Sequence, residues 1–143
     1  MRFRYCRLIV ILAVTIFAAA NPSHAEDRGY PSVPLLSTGT TIAGETLHYP
    51  TGGPAHVTAA IITLGPGAKT ILHRHGVPLF SYILDGELTV DYGDRGKRTY
   101  RKGDAFMEAM DVPHFGVDTG KDPVRILAVY MGAEGVADVI PVK

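Results

Sequence analysis

The sequence predicts an all-β domain of the sandwich or barrel type over residues 41–143. Short apolar, β-branched runs alternate with turn signals, which recur about every 8–12 residues. No window of helical length shows a clean 3.6-residue period of apolar residues. A chain of 143 residues also suits one hydrophobic core rather than two. These three observations favour a single β domain.

Each predicted strand is bounded by residues that favour turns. The apolar runs cover residues 40–49, 55–64, 69–75, 79–84, 88–92, 97–101, 105–110 and 124–131. Gly65-Pro66-Gly67 ends the second run, because glycine and proline both interrupt a strand ladder. Asp85-Gly86 separates two apolar runs and is a two-residue hairpin signal. The sequence therefore predicts mostly short strands joined by tight turns.

The first 25 residues predict a secretory signal peptide, which is cleaved from the chain and is not part of the folded domain. A positive start is followed by a nearly unbroken apolar run of 13 residues over 8–20, and small residues lead to Ala25. We expect cleavage after Ala25 and a periplasmic or secreted protein; cleavage after Ala20 is an alternative. A membrane span needs about 20 apolar residues, so we expect no stable span after cleavage. Residues 26–40 predict a flexible lead-in.

The charge balance bears on the partners of the protein, and the cysteine content bears on disulfides. The chain has 14 Lys and Arg against 14 Asp and Glu, and residues 1–25 carry three of the Arg and no acid. The predicted mature part therefore has 11 basic against 14 acidic residues, a net charge of −3. This balance argues against nucleic acid as a partner. Cys6 leaves with the signal peptide, so no disulfide is expected.

The sequence His73-Arg74-His75 places two candidate metal ligands two residues apart. Residues at this spacing point to the same side of a strand, with Cβ atoms about 6–7 Å apart. Both imidazoles could then reach one metal ion, while Arg74 points the other way. A pair of solvated histidines on an outer face is the alternative.

Glycines flank this pair at the spacing of a known motif. Gly67 precedes His73 by six residues and Gly86 follows His75 by eleven. The segment resembles the first motif of the cupin superfamily, G-x5-H-x-H-x3-4-E-x6-G. The second motif, G-x5-P-x-G-x2-H-x3-N, is matched in part, at two positions. Its glycine is Gly103 and its histidine is His114, whereas its proline, inner glycine and asparagine are replaced by Ala109, Asp111 and Asp118.

The resemblance implies a double-stranded β-helix, or jelly-roll barrel, with a metal inside. Its ligands would be His73, His75 and His114. Three imidazoles leave coordination positions open for water or substrate. The metal would be one divalent transition metal (Fe, Mn, Ni, Cu or Zn), since imidazole suits several of them. The resemblance also implies a homodimer.

The chain departs from the motif at its acidic ligand. That residue would fall at Leu79 or Phe80, which are both apolar and are expected to shape the substrate pocket instead. Three alternatives follow. The site could use three histidines alone, as in the cysteine dioxygenase-like and diketone-cleaving cupins, or Glu108 could supply an oxygen. In the third, the metal is lost and an apolar pocket remains. Glu108 itself could instead face solvent or pair with an arginine.

These features favour a metal-dependent, dioxygenase-like enzyme acting on a small molecule. A non-catalytic module of the cell envelope that binds a small ligand is the alternative, and a structural β domain with incidental histidines is a third. Other polar residues have simpler explanations. Tyr82, Tyr92 and Tyr100 are expected to pack with their hydroxyls in solvent, and His48 and His56 to lie on the surface.

Overall fold

The computed structural model describes residues 30–143 and shows an almost entirely antiparallel β protein. Its strands are β1 Ala55–Leu64, β2 His73–Arg74, β3 Leu79–Asp85, β4 Glu87–Asp91, β5 Lys97–Arg101, β6 Ala105–Met107, β7 Phe115–Asp118, β8 Val124–Ala133 and β9 Ile140–Pro141. A single 3-10 turn, Gly93–Arg95, lies between β4 and β5. The signal peptide predicted over residues 1–25 falls outside the described residues. It stays a prediction, as do the domain boundaries.

The strands form three antiparallel sheets. The largest has the order β1-β8-β3-β6, the second has the order β5-β4-β7, and β2 pairs with β9. This arrangement confirms the predicted all-β jelly-roll class. Among residues 30–143, no helix has the length and apolar character that a membrane crossing requires.

The two larger sheets face each other across a shared core. Alternate residues of β3 are buried, so one face of that strand points inward, and β4 shows the same alternation. One core cluster joins apolar side chains of both sheets, including Ile83, Leu88, Val90, Phe106 and Ile126. The candidate metal ligands share a cavity with Leu88, Val90, Phe106 and Ile126 of this core.

Three predicted strands take a different form. The strand predicted over residues 105–110 ends at Met107, as β6. The chain over residues 40–49 makes a turn, in which the Gly44 N–H donates to the Thr41 carbonyl (3.0 Å) and Thr40 forms an isolated bridge with Thr46. The Glu45 carboxylate accepts the N–H groups of Met110 (2.9 Å) and Asp111 (2.8 Å). The strand predicted over residues 69–75 shortens to β2, because this segment changes partner. Its beginning bonds to β7, whereas its end bonds to β9.

Gly86, in the hairpin between β3 and β4, combines a positive φ of 77° with a close backbone approach. A Cβ atom there would lie 2.7 Å from the Cα of Val124 and 2.9 Å from the carbonyl oxygen of Pro123. We expect Gly86→Ala to lower the free energy of unfolding by about 2 kcal/mol or more, because conformational strain and a backbone clash add.

Gly93→Ala is the matched control, since Gly93 also has a positive φ (61°) but a Cβ there would meet open space. We expect this variant to cost only about 1 kcal/mol. Equilibrium urea unfolding measures both values. Equal losses would contradict the role given to the close approach at Gly86.

Candidate metal centre

Three histidines from two segments of the chain come together inside the protein. His73 lies in β2 and His75 follows that strand, while His114 immediately precedes β7 and forms a bridge with His73. All three side chains are buried. One ring nitrogen from each lies within 4.8 Å of the others. The histidine cluster (His73, His75 and His114) therefore has a geometry that could hold a metal ion.

Backbone carbonyls fix the tautomer of each ring in this cluster. Every Nδ1 lies at hydrogen-bond distance from a carbonyl oxygen: His73 from Ile71 (2.8 Å), His75 from Asp138 (2.9 Å) and His114 from Val112 (2.8 Å). A carbonyl only accepts, so Nδ1 carries the proton of the neutral ring and Nε2 keeps its lone pair. Nε2 of His114 is buried and has no hydrogen-bond partner in the described part of the chain. Such a nitrogen fits a metal ligand.

Burial keeps the rings of the cluster uncharged. It lowers the pKa of His73 and His114, and it lowers the pKa of His75 to about 4. The hydrogen bond that His75 donates to the Asp138 carbonyl works against this shift in the pKa of His75, but the other two histidines reinforce it. The neutral form is the one that binds metal, so the cluster is ready for a cation at neutral pH.

Glu108 lies directly beside the histidine cluster and is buried. Its Oε1 accepts hydrogen bonds from the Tyr92 hydroxyl (2.7 Å) and the Ala109 N–H (2.8 Å), and its Oε2 lies 4.0 Å from Nε2 of His114. Burial raises the pKa of Glu108 to about 7, although the bonds from Tyr92 and Ala109 oppose the shift. Glu108 thus does not face solvent, and its partners within residues 30–143 include no arginine.

Glu108 lies beside the position where the first motif would have its acidic ligand. Leu79 occupies the motif position and its side chain is buried. The Glu108 N–H donates to the carbonyl of Leu79 (2.9 Å), so the two residues sit side by side on adjacent segments. Both line a cavity of about 60 Å³ that the histidine cluster also lines. The carboxylate of Glu108 therefore reaches this cavity from the segment adjacent to Leu79.

Phe80 does not line the cavity that the histidine cluster lines, and its role in a substrate pocket stays a prediction. Consecutive strand residues point to opposite faces, and Leu79 takes the inward position. Phe80 instead lines a separate, mostly apolar cavity of about 440 Å³ together with His48 and Met131. In the described residues, the larger cavity holds no cluster of possible metal ligands. We therefore place the candidate site at the smaller cavity.

Two tyrosines near the site make hydrogen bonds that the sequence did not predict. Tyr92 is 3% exposed, and its hydroxyl lies 2.7 Å from Glu108 and 3.1 Å from the hydroxyl of Tyr100. The expected solvated hydroxyls are therefore wrong for this pair. Burial raises the pKa of Tyr92, and it raises the pKa of Tyr100 to about 12, so both remain protonated donors. One feature of the sequence pointed to such a partner. Glu108 lies in an otherwise apolar run, and a buried carboxyl group requires a hydrogen-bond donor.

Comparison with known proteins agrees with this geometry. A family model described as a cupin domain matches residues 60–130. Auxin-binding protein T92 of Nicotiana tabacum is 32% identical over 95 residues, which cover 58% of this chain and 49% of that protein. The auxin-binding protein T85 of the same plant is 30% identical over 92 residues. The chain thus spans about half the length of the curated relatives it matches.

Solved structures share the fold. An oxalate decarboxylase from Lactobacillus farciminis, in a formate complex, matches with a TM-score of 0.52 and 21% identity, over 60% of this chain and 26% of that one. The polyketide cyclase RemF from Streptomyces resistomycificus matches with the same TM-score and identity, over 68% of each chain. At this identity the likeness shows the fold alone. The match of the family model to residues 60–130 shows that the chain has a cupin domain.

Proposed function

We propose that this chain is an exported, metal-dependent cupin with dioxygenase-like activity on a small molecule. The observation that carries the proposal is the convergence of three buried, neutral imidazoles beside a buried carboxyl group. His73, His75 and His114 would hold one divalent transition metal (Fe, Mn, Ni, Cu or Zn). When bound, the metal polarises substrate oxygens or a thiolate as a Lewis acid.

Glu108 supplies the second chemical group of the proposed site. Its Oε1 is held by Tyr92 and Ala109, so Oε2 is the oxygen directed toward the histidine cluster. A carboxyl held in this way can donate or accept a proton during substrate turnover. Tyr92 orients the carboxyl group, and its ring lies beside that of His114, with the two centroids 5.5 Å apart.

The cavity limits what the site can take. Its volume of about 60 Å³ has room for only a few water-sized groups. Apolar side chains form most of the remaining lining, among them Leu79, Phe106, Ile126 and Ala128. Such walls exclude water and strengthen electrostatic interactions inside. We therefore expect a substrate whose reacting part is small and offers two donor atoms to the metal.

A non-catalytic ligand-binding module is the second candidate. The observation that favours it is the similarity to two auxin-binding proteins, at 30–32% identity over about half their length. In that case the same cavity would bind a small organic ligand without turning it over.

Oxygen consumption separates the two candidates. Protein loaded with Fe²⁺ is assayed against small thiols, 1,3-diketones and phenols, alongside Glu108→Gln and the exposed control Asp94→Asn. We expect turnover by the parent and by Asp94→Asn, and a fall in kcat of about 100-fold for Glu108→Gln, because a positioned acid or base contributes about 10²–10⁴-fold.

Uniform absence of turnover with the metal loaded would contradict an enzyme. Binding detected by calorimetry for the same compounds would then support the ligand-binding module. Equal kcat values for Glu108→Gln and the parent would remove Glu108 from the chemistry.

A further inference from the structure

The hydrogen bond that fixes His75 comes from a distant part of the chain. His73 and His114 each bond to a carbonyl two residues earlier, so their own loops set their ring orientations. His75 instead bonds to the carbonyl of Asp138, which lies 63 residues further along the chain. Within the histidine cluster, this ring therefore depends on the C-terminal segment.

The segment over residues 134–142, here termed the C-terminal strap, runs along the histidine strand. Its strand β9 pairs with β2, and the Val142 N–H donates to the carbonyl of Leu72 (3.0 Å). Pro141 has no N–H to add to this short ladder. Most residues of the strap are exposed. A segment with so few buried contacts is expected to open at a lower free energy than the core.

At Gly76, the residue after His75, the backbone of the strap leaves no room for a side chain. A Cβ atom at Gly76 would lie 2.5 Å from the carbonyl oxygen of Ala137 and 3.3 Å from Cδ1 of Ile140. No side chain can be added there unless the strap moves. Ala137 directly precedes Asp138, so displacement at this point also shifts the carbonyl that holds His75.

We propose that the C-terminal strap positions His75 for metal binding, through the backbone carbonyl of Asp138 and with Gly76 as the point of contact. This inference rests on the proposed metal-binding function. Hydrogen-bond partners of metal-ligating histidines hold the ring's tautomer and orientation, and losing one typically costs 10–100-fold in metal affinity. Asp138 and Gly76 are positioning residues in this scheme.

Two variants of the full-length protein test the strap. Gly76→Ala displaces it, and a chain ending at Gly135 removes Val136 to Lys143. Gly65→Ala is the control, because a Cβ there meets nothing within 4 Å. Zn²⁺ affinity is measured by competition with a chromophoric chelator. The tautomers of the metal-free histidines are read from ¹⁵N chemical shifts. Both measurements are repeated on each variant after circular dichroism confirms the fold.

We expect Gly76→Ala and the shortened chain to bind Zn²⁺ 10–100-fold more weakly, while Gly65→Ala matches the parent. In the metal-free protein, His75 alone should lose its Nδ1–H tautomer, and His73 and His114 should keep theirs. Unchanged affinity, or an unchanged His75 tautomer in both variants, would overturn the strap's role. If the parent binds no Zn²⁺ while both variants lose the His75 tautomer, the metal-binding function is overturned and the strap's hold on His75 stands.

Discussion

A His73→Ala/His75→Ala double variant will lose metal binding while remaining folded. Structural sites bind Zn²⁺ with a free energy of about 10–16 kcal/mol, so each of their four ligands accounts for roughly 3 kcal/mol. Removing two ligands should therefore weaken metal binding at least a thousandfold. The fold should persist, because the principal core cluster of buried side chains lies in other residues. Metal content after loading with Zn²⁺ and dialysis, read by elemental analysis, measures the effect.

The matched control is His48→Ala/His56→Ala, which removes two histidines that are exposed and outside the cluster. This pair should retain the parent's metal content. If the His73→Ala/His75→Ala variant held as much metal as the parent, the site would be assigned to the wrong residues. Circular dichroism on the same samples shows whether a loss reflects unfolding.

Moving the carboxylate between two adjacent positions will first weaken and then restore metal binding. Glu108→Leu removes the buried charge beside His114, and we expect a loss of affinity of about 10–100-fold. Leu79→Glu added to Glu108→Leu returns a carboxylate to the cavity at the position of the cupin motif. Because the two residues are joined by a backbone hydrogen bond and line the same cavity, the double variant should regain most of the loss.

Competition with a chelator gives the affinities of the three proteins under one set of conditions. Tyr92 keeps a partner in both variants, since its hydroxyl also lies 3.1 Å from that of Tyr100. An affinity for Glu108→Leu equal to the parent's would exclude a role for Glu108 in binding the metal. A double variant no tighter than Glu108→Leu would mean that the two positions are not equivalent.

The fold class and the pairing of His73 with His75 could be predicted because their signals are local. Turn residues mark the strand ends, and the spacing of His73 and His75 places both rings on one side of an extended segment. His114 could be assigned only through the resemblance to a family motif, because its approach to His73 depends on a bridge between distant segments.

The rest of the site depends on strand register and on packing, which the sequence does not reveal. The motif allows the acid at Leu79 or Phe80, and only the structure shows that Leu79 points inward. Glu108 lines the cavity because its backbone pairs with that of Leu79, and no sequence spacing predicts this pairing. The hydrogen bond from His75 to the Asp138 carbonyl joins residues 63 positions apart, and no sequence pattern predicts it.

Elemental analysis of the untagged protein, purified without chelators, tests the central claim most directly. The three neutral imidazoles predict one divalent transition metal per chain, either as purified or after loading and dialysis. A folded protein that retains none of Fe²⁺, Mn²⁺, Ni²⁺, Cu²⁺ or Zn²⁺ under these conditions would contradict it.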